Sequence, residues 1–297
     1  MYDFKDFVNN MKEELSSRIP DAELSIRDVV KNNDVIHTAI TIKKDNEEAA
    51  PSIYMDYYYS RYKAGVDMNY LISDAMNEYN NSSRIGSNFN DEMFYARDNI
   101  FLKLVNKQRN TKNLEDTPYI EFKDLAVTFR VLIYKDANGI ASVQVTNKVL
   151  EKMGLSKEEA FDIAKMNTLQ LFSPEFQNIS DVIRRDTNEE FDIPDMDIYM
   201  LTTDVGVNGA TLLLYDELIN DFVNKNGECY IITSSVHEVI FIPKDNVDDI
   251  RDFKELIREV NNIMTPKQDY LSDNIYLADG HGISIVGGME NEEYMYM

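Results

Sequence analysis

The residues of this chain that could do chemistry crowd into one stretch, Tyr230 to Pro243, where two apolar runs meet at a polar turn: Tyr-Ile-Ile-Thr-Ser-Ser-Val-His-Glu-Val-Ile-Phe-Ile-Pro. Ser234 and Ser235 supply hydroxyls, His237 an imidazole and Glu238 a carboxylate, the types that nucleophilic and acid-base catalysis recruit. Their spacing argues against a triad. Neighbours on a strand point to opposite faces, so His237 and Glu238 cannot address one pocket from a regular strand, and no Gly-x-Ser-x-Gly elbow precedes them. A turn whose serines bond local backbone, with His237 or Glu238 toward solvent, accounts for the pattern.

A metal reading recruits His237, Glu238, His281 and an aspartate, because imidazole and carboxylate suit zinc, manganese or iron. The three histidines, His37, His237 and His281, are too far apart in sequence to define a geometry, and no His-Glu-x-x-His occurs, so no cofactor is expected. Asp136-Ala-Asn-Gly139 is too short for a calcium loop and reads as a hairpin turn. Gly206-Val-Asn-Gly209 and Gly280-His-Gly282 lack the strand-to-helix context of a phosphate cradle. Tyr57 and Tyr58 sit in the densest aromatic cluster, with Tyr54, Tyr59 and Tyr62. They are candidate protein-binding anchors, although packing at a helix-sheet boundary is the favoured reading.

Composition narrows the classes of function. Among 297 residues, 53 acidic against 30 basic side chains give a net charge of -23, which repels a phosphate backbone and excludes ordinary nucleic-acid binding. Because the acids are spread along the chain, a solvated surface accounts for them better than an acidic mimic of DNA does. Cys229 is the only cysteine, so no intramolecular disulfide forms, a reducing cytoplasm fits, and its apolar strand predicts a buried, inert thiol. The start lacks the basic and apolar regions of a secretion signal and the apolar runs are short, so neither export nor a membrane role is indicated.

The elements that must position these residues follow from periodicity. Phe4, Phe7, Val8, Met11 and Leu15 predict an amphipathic helix before Pro20, followed by strands Glu23 to Val30, Val35 to Ile42 and Ser52 to Asp56. A helical turn carries Tyr57 to Tyr62, and a helix runs from Asp67 through Tyr79. Asp91 to Asn110 reads as a further helix, with Phe94, Ile100, Phe101, Leu104 and Val105 on one face and Lys103, Lys107, Arg109 and Lys112 toward its end. Beyond Thr111 to Pro118, the expected boundary, come a hairpin over 124–146, a short helix from Asn147 and a helix opened by the Ser156-Lys-Glu-Glu159 capping box. Helix 180–185 and an acidic loop then lead into strand 197–203, strand 210–214, helix 216–226, strand 228–234, strand 236–242, helix 247–263 and a last hairpin around Asp279-Gly280-His281-Gly282.

Connections this short force antiparallel pairing. The expected fold class is therefore α+β, with mixed or mainly antiparallel sheets and helices packed on them. Two subdomains are expected, 1–112 and 119–288, with a mobile acidic tail over 289–297.

Several runs together resemble a known pattern: Pro51-Ser-Ile-Tyr-Met-Asp-Tyr-Tyr, Phe122-Lys-Asp-Leu-Ala-Val-Thr-Phe, Tyr199-Met-Leu-Thr with Gly209-Ala210, Tyr230-Ile-Ile-Thr-Ser-Ser-Val-His-Glu, and Glu259-Val-Asn followed by Leu271-Ser-Asp. Over roughly residues 1 to 278 the chain resembles an uncharacterised bacterial family, a domain of unknown function frequent in gut anaerobes. That resemblance implies no activity. Thr233 stands where the pattern leads one to expect proline. The reading that follows is a cytoplasmic, non-enzymatic module that acts on an unknown protein partner or regulates one. The alternatives are a metal-assisted hydrolase using His237 and Glu238, and a DNA mimic.

Overall fold

Phe7, Val8, Met11 and Leu15 recur at helical spacing, and the helix they build, α1 (Phe4–Arg18), buries all four. Its start is fixed by Asp3, whose Oδ1 accepts from Asp6 N at 2.9 Å. These positions come from a computed structural model that describes residues 1–44, 50–86, 91–136, 139–187 and 194–286, to which every count refers. The 289–297 tail and the Ala137-Asn138 tip of the second hairpin lie outside them.

The chain divides into two units, Met1–Tyr95 and Ala96–Met297. In the first, α1 packs on an antiparallel sheet of order β1 (Ala22–Val30), β2 (Ile36–Lys44) and β3 (Ser52–Tyr54). The helices α2 (Met55–Lys63) and α3 (Met68–Gly86) close the core, where Leu24, Ile40, Ile42 and Ile53 of the sheet meet Tyr58, Leu71, Ile72 and Ala75. A single turn, α4 (Asp91–Phe94), precedes the second unit.

The second unit holds two antiparallel sheets. One pairs β4 (Ile100–Asn106) with one edge of β6 (Leu125–Asp136), whose other edge takes both β5 (Tyr119–Phe122) and β7 (Gly139–Gln144). A helical turn, α5 (Thr111–Leu114), joins β4 to β5; α6 (Asn147–Lys152) and α7 (Lys157–Leu171) follow β7. The capping box at the start of α7 is formed, with Ser156 and Glu159 bonding each other's backbone. After β8 (Pro174–Asn178), α8 (Ile179–Thr187), β9 (Tyr199–Thr203) and α9 (Asp216–Asn226) come β10 (Cys229–Ile232), β11 (Val239–Pro243), α10 (Ile250–Met264), β12 (Ile275–Ala278) and β13 (Ile283–Ile285). These strands make a sheet of order β13-β12-β10-β11-β9-β8. Phe222 of α9 stacks on Phe176 at 4.4 Å and touches Phe241 and Tyr199, so one face of this sheet carries an aromatic cluster. Cys229 is buried at its margin, and desolvation pushes the thiol up to about 11. The fold class is α+β, with antiparallel sheets carrying helices.

Two expectations need correcting. Ile100–Asn106 is a strand and not part of a helix: it is buried on both faces, so its apolar residues fit helical spacing by accident. Gly209–Leu214 is a buried 3-10 helix and not a strand. Its entry is set by a close approach. Gly209 N donates to His237 O at 2.9 Å, and a Cβ on this glycine would lie 2.4 Å from that oxygen and 2.7 Å from Thr202 Cα.

The outer edge of β4 is where the two sheets of this unit join. An edge strand presents unpaired N–H and C=O groups, and burying them without partners costs free energy. Here side chains do the pairing. Asn167 of α7 donates to Ile100 O at 3.0 Å, Leu102 N donates to Thr168 Oγ1 at 3.0 Å, and Leu104 N donates to Thr211 Oγ1 at 3.2 Å. Asn106 then continues the row by donating to Leu271 O at 2.7 Å. The Thr168 hydroxyl spends its proton on Ala164 O at 2.7 Å, so it is satisfied in both directions. Thr168→Val and Thr211→Val keep shape but leave a buried amide without an acceptor. Each is expected to lower unfolding free energy by about 1–3 kcal/mol in urea titrations, with Thr→Ser at either position close to wild type.

Candidate functional site

The Ser234 to Glu238 turn links β10 to β11, and the chain after α10 is stitched to it. Leu271 N donates to Ser234 O at 2.9 Å, Ser272 N to Thr233 O at 2.8 Å and Val236 N to Asp269 O at 2.8 Å, while Ser235 bridges Tyr270. His237 Nε2 faces Asp269 Oδ1 at 3.3 Å, whereas the Ser235 hydroxyl accepts from His237 N at 3.0 Å. The imidazole therefore has an acid beside it and no hydroxyl to activate: its Nδ1 is buried and has no hydrogen-bond partner among the described residues. Glu238 is partly exposed one residue on. His281 lies on the turn after β12, next to the Cys229 end of β10, while His237 follows the Ile232 end, so the two histidines occupy opposite ends of the sheet. Among the described residues no three His, Cys, Asp or Glu side chains gather closely enough to hold a metal ion.

Polar groups converge instead one step further along the chain, on Leu271-Ser272-Asp273-Asn274. Asp124, at the β5–β6 turn where Lys123 adopts φ +56°, reaches across to this loop. Its Oδ2 accepts from Ser272 Oγ at 2.8 Å and Asn274 Nδ2 at 2.9 Å, and its Oδ1 accepts from the Tyr276 hydroxyl. Tyr276 has no solvent exposure, and burial first, then the adjacent carboxylate, holds its phenol far above its ordinary value. From β4, Asn106 bonds Leu271 O and accepts from Arg109 N at 2.7 Å, and the Arg109 guanidinium lies 3.5 Å over the centre of the Tyr270 ring. From α10, Asn261 Nδ2 donates to Asp273 Oδ1 at 2.9 Å and Ser272 O at 3.3 Å, and Lys254 Nζ donates to Asn274 Oδ1 at 3.3 Å.

The Asp124 carboxylate is fully engaged within this knot. A carboxylate that accepts three internal donors acts as an anchor for the loop that supplies them. Its effect is on α10. Ile250, Phe253, Lys254, Ile257 and Asn261 form the docked edge of the helix, with Ile257 and Asn261 buried and the other three half-buried. The remaining apolar stripe faces outward: Leu256 is 53% exposed, Val260 41%, Ile263 80% and Met264 73%. An amphipathic helix ordinarily buries this stripe. In the first unit the aromatic candidates separate. Tyr58 is 2% exposed and donates to Glu78 at 2.6 Å, whereas Tyr57 is 58% exposed beside Arg61.

Sequence reasoning missed Asp124, Asn261, Ser272, Asn274 and Tyr276: the last three alternate along the chain, but no local spacing ties them to Asp124 or Asn261. A signal was nonetheless present: Phe122-Lys-Asp, Glu259-Val-Asn and Leu271-Ser-Asp are three of the runs that carried the family resemblance, and all three meet in the knot. The model of a family of unknown function, DUF5688, matches residues 4–279. No curated protein and no solved structure matches the chain.

Asp124→Ala strands three donors and is expected to cost about 3 kcal/mol of stability, more than the roughly 1 kcal/mol for Tyr276→Phe, both read from denaturant midpoints. The phenols of Tyr58, Tyr215, Tyr270 and Tyr276 are raised above 10 by burial first, so they stay neutral in the folded protein where the unfolded chain ionises. A raised folded value means stability is fully present below the unfolded value and is lost as pH rises through the folded one. Urea midpoints are expected to fall steeply above about pH 10, less so in Tyr276→Phe.

Proposed function

From the premise that this chain belongs to the DUF5688 family, we propose that it is a non-enzymatic binding module that engages another protein through the outward stripe of α10. The single observation behind this reading is that α10 docks by Lys254, Ile257 and Asn261 and presents Leu256, Val260, Ile263 and Met264 to solvent. Contiguous apolar exposure of this kind marks interaction surfaces in water-soluble domains. No described helix is long and apolar enough to cross a membrane. Many carboxylates, including Asp21, Asp74, Glu121, Asp204 and Glu228, pair with nearby Lys or Arg, which disfavours a phosphate-like array.

A photocrosslinking residue placed at 256 or 263 in the native cell is expected to give one discrete adduct with another protein, absent when the same group is placed at Glu13 on the exposed side of α1. Turnover of an ester, phosphoester or peptide by the purified chain, abolished in His237→Ala, would replace this reading with an enzymatic one.

A further inference from the structure

The outward stripe of α10 has a spacing of its own. The half-buried Phe253 and the exposed Leu256, Val260 and Ile263 are separated by three, four and three residues, the repeat that lines a helix-helix seam with knobs and holes. The seam runs over about 16 Å, enough for three turns of a second helix. In that repeat the positions preceding Phe253 and Val260 flank the seam on one side, and they are Asp252 and Glu259, with Glu255 between them in the same acidic row. The opposite flank carries Ile257, already buried in the body of the unit, and Met264. One side of the seam is thus closed by the protein itself and the other is rimmed by carboxylates. Arg251 and Arg258 fall on the far side of the helix at 100° per residue.

Resting on the binding-module reading above, we infer that α10 receives an amphipathic helix of a different protein whose 3–4 apolar repeat is flanked by lysine or arginine on the side that meets Asp252 and Glu259. Charge decides against a second copy. A two-fold antiparallel pair sets each flank against its own equivalent, so Asp252 and Glu259 would face the same acids, on chains already carrying a charge of -23 each. A parallel pair needs the flank that Ile257 has committed to its own core. Charges flanking a seam set the choice of partner more than they set raw affinity.

The test uses the full chain and two fluorescein-labelled 21-residue helical peptides with the same leucine seam, one flanked by lysine and one by glutamate, read by anisotropy. The lysine peptide is expected to bind at least tenfold more tightly than the glutamate peptide. Asp252→Lys with Glu259→Lys should invert that order, Leu256→Asp with Ile263→Asp should abolish binding of both, and Glu13→Lys with Glu151→Lys, the same change in net charge elsewhere, should leave the order unchanged. The altered side chains are exposed, so circular dichroism and the thermal midpoint serve as controls for folding. Four results overturn the inference. They are equal loss with the control reversal; binding indifferent to Leu256→Asp with Ile263→Asp; self-association in sedimentation that this double variant removes; and co-sedimentation with phosphatidylserine vesicles that it removes. Tighter binding of the glutamate peptide than of the lysine peptide likewise overturns the inference, because the partner it names is basic along this flank. His237-dependent turnover bears on the binding-module reading alone.

Discussion

The second unit depends on how the outer edge of β4 is satisfied. A strand buried on both faces offers a row of amides and carbonyls that must find partners, and among the described residues no strand lies along this outer edge. Asn167, Thr168 and Thr211 take those places, and Asn106 carries the row on to Leu271. Four side chains from three segments thereby tie the β4 sheet to α7, to the 3-10 turn and to the loop below the larger sheet. Hydroxyls and amides can do this because they bond a backbone group while remaining part of another element. The result is one polar seam running from the edge of β4 into the knot around Asp124.

That continuity explains why the polar cluster is structural. Asn106 belongs to both the edge row and the knot, and Ser272 joins Asp124 to the strand partners of the Ser234 turn. A carboxylate set among three donors gives direction to a loop, and the loop in turn fixes the roll of α10 about its axis through Asn261. Had the helix docked by its apolar stripe, the stripe would have been core. Docking by the Asn261 amide and the Lys254 ammonium beside Ile257 leaves it outside, so polar bonding helps set which surface of this helix is available.

Much of the architecture was legible in the residues. The α1 stripe, the β1–β2 pairing and the capping box at Ser156 follow from period and cap chemistry, and each is present. Where both faces of an element are buried the period carries no information, which is why Ile100–Asn106 and Gly209–Leu214 read as the wrong element. The knot was invisible for a different reason: Asp124 and Ser272 are joined only by the folded chain, and each alone is an unremarked polar residue in a turn. Amphipathicity announces that a helix has a stripe without saying what covers it, and the answer for α10 lies in the partners of Lys254 and Asn261.

Cys229 has a practical consequence. Because the chain's sole sulfhydryl is enclosed and burial raises its pKa, maleimide reagents are expected to leave it alone. A cysteine introduced on the surface thus becomes the unique attachment point for a nitroxide or a dye without first removing the native one. A pair of them makes a spectroscopic ruler on an otherwise unaltered polypeptide.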